Sequence, residues 1–170
     1  MESPFSDPLT ARIAGFLTGI GIEVEPAELP EDTFLPGLTL ERGRLLVDEG
    51  RLAYPGDLLH EAGHVAAAPA WARPSMTGSL DDVPGLDTSN LEWAAIPWSY
   101  AAAVAIGVDP ALVFHGGGYH GHSPGLLFNF RVGVPIGVHL LEAAGMTAAG
   151  PRAEALGVPP YPHMLRWLRE

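Results

Sequence analysis

Apolar residues first recur at helical spacing near the start of the chain. Leu9, Ile13, Phe16, Leu17 and Ile20 share one side of a helix, with Ser6 or Asp7 and Pro8 as its start and Gly19 and Gly21 as its end. Residues 22–37 are rich in proline and acidic side chains and predict an extended connection. A period of two follows: Leu38-Thr39-Leu40-Glu41 and Arg44-Leu45-Leu46-Val47 flank Arg42-Gly43, the pattern of a β-hairpin. A compact apolar run then opens at Leu58-Leu59. Pro55-Gly56 marks a turn before it, Asp57 stands where an N-cap belongs, and Pro69 ends it.

Residues 69–88 show no period and predict a long loop, either a lid or binding loop or a disordered stretch. A second long helix is expected over roughly 90–106, capped by Ser89 or Asn90 and ended by Gly107, with Pro97 either kinking it or marking its true start. A short helix can begin at Asp109-Pro110. A helix or helix pair is expected over 124–144, interrupted near Gly133-Val134-Pro135. Residues 146–160 read as a loop or linker, and the terminal YPHMLRWLRE as a last helical turn packing Met164, Leu165 and Trp167. No internal repeat is visible. These elements predict one α+β domain over 1–170, mostly helical, with a short hairpin or sheet ahead of the helix that starts near residue 57.

Composition narrows the function classes. The chain has 170 residues, 47% of them hydrophobic, enough for a real core. The net charge is −11, and all nine basic residues are arginine. Without a basic patch to neutralise phosphates, nucleic-acid binding is not expected. Cysteine is absent, so no disulfide can form and any zinc site must use histidine and carboxylates. No signal-peptide pattern and no long apolar span stand out, so a cytoplasmic protein without membrane attachment is expected. The lysine-free, Ala-, Gly-, Pro- and Arg-rich composition suggests a bacterium with a GC-rich genome.

The strongest chemical signal lies inside the helix after Asp57. His60-Glu61-Ala62-Gly63-His64 is a complete H-E-x-x-H. On a helix, His60 and His64 stand one turn apart and can share a zinc ion, while Glu61 can take a proton from a metal-activated water. A buried amphipathic helix with two incidental histidines is the plainer reading. Gly63 weakens a helix interior by about 1 kcal/mol relative to alanine, which predicts close approach of another backbone there.

A catalytic zinc needs a third protein ligand and an open position. Glu92 is the leading candidate, a lone carboxylate among Leu91, Trp93, Ala94, Ala95 and Ile96. Its competing role is to complement the helix dipole. Asp81, Asp82, Asp87 and His115 are the other candidate ligands.

With His60, Glu61, His64 and Glu92 in place, the chain resembles the zincin metallopeptidases of the gluzincin branch, which pair H-E-x-x-H with a glutamate on a later helix. The stretch from Tyr54 to His64 is also similar to small bacterial zincin-like proteins. The resemblance implies a small α+β zinc hydrolase in which a strand of a preceding sheet holds a substrate peptide extended, and the hairpin near 38–47 could be that sheet. In that branch an aspartate four residues after the ligand glutamate supports a metal-binding histidine; here that position is Ile96. Ala70 stands where the metzincin pattern needs a third histidine.

The segment His115-Gly116-Gly117-Gly118-Tyr119-His120-Gly121-His122-Ser123-Pro124-Gly125 holds two esterase-like strings, H-G-G-G and G-x-S-x-G. In esterases the elbow follows a strand and the oxyanion loop lies far upstream; here the strings abut. A phosphate-loop reading fails because His122 replaces the lysine. Either the segment borders the zinc cleft, with His115, Tyr119 or His120 donating to an oxyanion, or its histidines are merely exposed before a helix. Tyr100 is a rival donor, about two turns beyond Glu92, unless it is a core tyrosine. The function expected is zinc-dependent hydrolysis of a peptide or protein substrate with Glu61 as general base. The alternative is a metal-stabilised binding or regulatory domain without turnover.

Overall fold

Two helices crossing closely frame the molecule. In the computed structural model, which describes residues 3–170, α2 (Asp57–Ala67) lies against α3 (Thr88–Ala105). α2 buries Leu58, Leu59, Ala62, Gly63, Val65 and Ala66, and α3 answers with Ala94, Ala95, Trp98, Ala101 and Ala102. The small residues on both faces let the backbones approach. At Gly63 this is literal: a β-carbon there would sit 2.9 Å from the Ala95 carbonyl oxygen, the close approach its sequence position predicts.

α1 (Pro8–Gly19) covers one side of α2 and buries Ile13 and Leu17 completely. Asp7 is its cap, accepting the Thr10 amide at 2.7 Å, with Pro8 first in the helix.

The hairpin forms as expected from β2 (Leu38–Glu41) and β3 (Arg44–Val47), antiparallel with Leu40 opposite Leu45. Arg42 and Gly43 both have positive φ, 52° and 76°, the geometry of a tight two-residue hairpin turn. Alternation buries Leu38, Leu40, Leu45 and Val47. A third strand, β1 (Val24–Pro26), pairs parallel with β3 inside the segment read as a mere connection, giving the order β1-β3-β2. Three residues ending in proline carry too little pattern to announce a strand.

Other boundaries differ from expectation for local reasons. Asp57 is the first residue of α2, not its cap. Gly56 holds the cap position, pressed so tightly on Leu112 that a β-carbon would overlap its carbonyl oxygen. α3 begins at Thr88, because Asp87 caps it through the Asn90 amide at 3.0 Å. Pro97 lies within α3 and cannot offer an amide to the carbonyl of Trp93. Gly137, with φ 78°, packs on that carbonyl where no side chain would fit. α4 (Ser123–Arg131) and α5 (Val138–Ala143) are the expected interrupted pair, and Pro110–Leu112 is a single 3-10 turn capped by Asp109.

Residues 146–160 are not all loop: α6 spans Gly150–Leu156. The C-terminal segment is no helix but an irregular strap. The Trp167 ring meets Phe16 and Trp98 edge-on at 5.0 and 5.6 Å, and its carbonyl accepts the Trp98 indole N–H at 2.9 Å. Beyond it the Arg169 amide donates to Ala66 at 2.9 Å.

The loop 69–88 is also built in. It makes 3-10 turns at Arg73–Ser75 and Leu80–Asp82 and buries Ala72, Met76 and Val83. The Arg73 guanidinium donates to the carbonyls of Val65 and Ala68 at the end of α2. Among the described residues the architecture is thus six α-helices around a three-stranded sheet, a small mixed α+β domain, and no helix is long and apolar enough to cross a membrane.

Candidate metal centre

α2 turns His60 and His64 to the same face, bringing their Nε2 atoms to 3.1 Å. α3 brings the Glu92 carboxylate opposite, one oxygen 3.4 Å from Nε2 of His60 and the other 3.1 Å from Nε2 of His64. A tetrahedral ion with metal–ligand bonds of about 2.0–2.1 Å separates its donors by about 3.3 Å. The imidazole pair and each histidine–carboxylate contact fall near that figure, the latter two through separate oxygens of Glu92. Glu61 joins the cluster: one ligand atom from each of His60, Glu61 and His64 lies within 4.8 Å of the others. This His-Glu-His group is close enough to hold a metal ion, and Glu92 faces its two imidazoles directly.

The two carboxylates differ electrostatically. Burial pushes the Glu61 carboxyl above its ordinary range, and only partly does His64 oppose it. Burial acts the same way on Glu92, but hydrogen bonding and charge from His60 and His64 overcome it and hold that group far below the usual carboxylate range. One carboxylate is therefore biased toward holding a proton and the other toward staying ionised beside the imidazoles.

The back sides of the two histidines also differ. Nδ1 of His60 lies 2.6 Å from the Tyr119 hydroxyl. Nδ1 of His64 is buried with no partner, which costs about 1–3 kcal/mol when such a group must go unsatisfied.

The remaining candidates fall in different places. The Tyr119 hydroxyl sits at Nδ1, not beside Nε2. Burial, then the nearby Glu92, Asp57 and Glu61, push the phenol well above its normal range, so it stays neutral. Tyr100 stacks on Phe130 at 4.4 Å in an aromatic cluster with Phe114 and Tyr161; it makes no hydrogen bond to the histidine pair. His115 is held elsewhere, its Nε2 2.6 Å from Asp57, its Nδ1 accepting the Gly117 amide at 3.1 Å, and its ring stacked on Tyr54 at 3.8 Å. Both ring nitrogens are satisfied by the neutral tautomer that donates to Asp57.

His120 and His122 are exposed, as are Asp81 and Asp82, while Asp87 caps α3. Ser123 is buried and donates to the Gly118 carbonyl at 3.2 Å, so it is no exposed nucleophile. The Asp57–His115 pair is absent from the sequence reading. It joins residues far apart in sequence, and no local pattern marks such a pair.

A cleft of about 760 Å³ opens onto the cluster, with Glu61, His64 and Glu92 among its lining. Phe34, Leu35, Leu80 and Trp93 give it an apolar side, and no arginine lines it among the described residues. Phe34 is 98% exposed, an aromatic ring standing free at the rim. No protein-family model, curated protein or solved structure matches this chain.

Proposed function

We propose that this protein is a zinc-dependent hydrolase acting on peptide bonds, with His60, His64 and Glu92 as the metal ligands and Glu61 as the general base. The observation that carries it is the convergence of two imidazole nitrogens and the Glu92 carboxylate at 3.1–3.4 Å, beside a further carboxylate and an open cleft. Zinc, when bound, supplies a Lewis acid and a water of lowered pKa. Glu61 receives the proton released as water attacks and returns it to the leaving amine. A carboxyl raised by burial is better suited to both halves of that task than an ordinary one.

The cleft favours an extended, uncharged or apolar peptide segment. Leu38, Thr39 and Leu40 of the edge strand β2 line it. The Leu40 carbonyl already accepts the Gly78 amide and the Leu38 amide donates to the Leu35 carbonyl, so only part of that edge is left to a substrate. Among the described residues no arginine lies in the lining, so no guanidinium there pairs with a substrate carboxylate.

A purely structural zinc is closed by a fourth protein ligand. His115 is engaged by Asp57, and His120 and His122 are exposed, so no third histidine closes the site, and with Glu61 of the cluster assigned as base this supports an open fourth position and turnover over a binding domain. The test is a peptide-library digest comparing wild type with Glu61→Gln at equal zinc occupancy. Cleavage by the wild type that drops about 10²–10⁴-fold in the variant is expected. No cleavage by either protein sinks the enzymatic reading.

A further inference from the structure

We propose that Tyr119 is a positioning residue for the metal centre: its hydroxyl oxygen accepts the Nδ1–H of His60, fixing the ring and the tautomer that presents Nε2 to the ion. This rests on His60 being a ligand, as proposed above. A neutral imidazole carries one N–H. An ion on Nε2 therefore requires the proton on Nδ1, and a buried N–H there needs an acceptor. The Tyr119 hydroxyl is 2.6 Å away, and the ring stands edge-to-face to His60 with centroids 5.1 Å apart.

The Ile96 side chain, four residues past Glu92, has no polar atom to offer, so the acceptor comes from a different part of the chain.

The backbone bears the cost of that placement. Tyr119 and His120 both adopt the left-handed conformation, φ 53° and 52°, which costs an L-residue of order 1 kcal/mol or more. The strain falls on the residue whose hydroxyl meets the histidine. Phe114, packed face-on at 5.6 Å, holds the tyrosine ring from behind. His64 supplies an internal contrast, since its Nδ1 has no such partner.

The experiment is zinc titration of full-length wild type and Tyr119→Phe, with NMR of the imidazole N–H protons in the zinc-loaded proteins. Loss of the acceptor should weaken zinc binding about 10–100-fold. In the wild type the His60 Nδ1–H should be a downfield, slowly exchanging resonance. In the variant it should move upfield and exchange faster, while that of His64 stays put. Equal zinc affinity in the two proteins overturns the positioning role and leaves the ligand set standing. Should the variant not fold, the wild-type spectrum decides alone: no hydrogen-bonded His60 Nδ1–H overturns the proposal. A wild type that binds no zinc removes the ligand reading and this one with it.

Discussion

Gly63 of α2 rests on the backbone of Ala95 in α3: a β-carbon at position 63 would stand 2.9 Å from the Ala95 carbonyl oxygen and 3.0 Å from its Cα. That contact sets the separation of the two helices that carry His60, His64 and Glu92. Gly63→Ala gains about 1 kcal/mol in helix propensity but overpacks the crossing, at about 1–3 kcal/mol. A net loss of stability is expected, together with weaker zinc binding as Glu92 is pushed from the histidines. Gly15→Ala is the contrast, because Gly15 lies exposed within α1 with nothing near its missing side chain; it should gain about 0.5–1 kcal/mol. Denaturant unfolding reads both. A destabilised Gly15→Ala or a stabilised Gly63→Ala would contradict the packing argument.

The proposed ligand set predicts a pattern of metal loss. Wild type should bind about one equivalent of zinc, His60→Ala and His64→Ala should lose it, and Glu92→Ala should bind far more weakly because only the two histidines remain. Asp81→Ala and Asp82→Ala should keep it. Asp87→Ala should also keep it, while losing about 1 kcal/mol of stability as the cap of α3. Metal analysis after dialysis checks each. A loop aspartate that behaves as a ligand, with Glu92 indifferent, would reassign the third position.

Zinc should also stabilise the fold by mass action, about 2.7 kcal/mol at a hundredfold excess over its Kd. Glu61→Gln should retain that gain, since the residue is proposed as a base, and a chelator should abolish it. A thermal midpoint indifferent to zinc and chelator in the wild type would argue that no ion is held in the native state.

Acid should silence one helix cap. The Thr10 amide, then the Thr10 hydroxyl, hold the Asp7 carboxyl below its ordinary value. A carboxyl lowered by folding stabilises fully above the unfolded value, and that contribution fades as pH falls through the lowered one. Asp7→Ala should therefore cost about 1 kcal/mol near neutral pH and almost nothing in strong acid. A penalty equal at both would mean that the cap is not acting through its charge.

How much of this could be read from the chain depends on whether the signal is local. Period and punctuation were sufficient for α1, the hairpin, α2 and the α4–α5 pair, and the odd glycine at 63 foretold a close backbone. The three residues of β1 and the seven of α6 are too short to show a period, and the C-terminal strap has side chains of a helix but pairings dictated by Phe16, Trp98 and Ala66. Glu92 stood out because a carboxylate in apolar company needs a reason. The Tyr119–His60 and Asp57–His115 contacts did not, because each joins distant residues. The glycine-rich segment drew notice to Tyr119 and His115, but only the fold shows which atoms they meet.

The strap formed by Trp167 and Arg169 has a consequence for the order of assembly. It closes over α1, α2 and α3 through Phe16, Ala66 and Trp98, contacts that form only after residue 169 has emerged from the ribosome. A nascent chain stalled short of that point would carry all the proposed metal donors without the strap that closes over their helices.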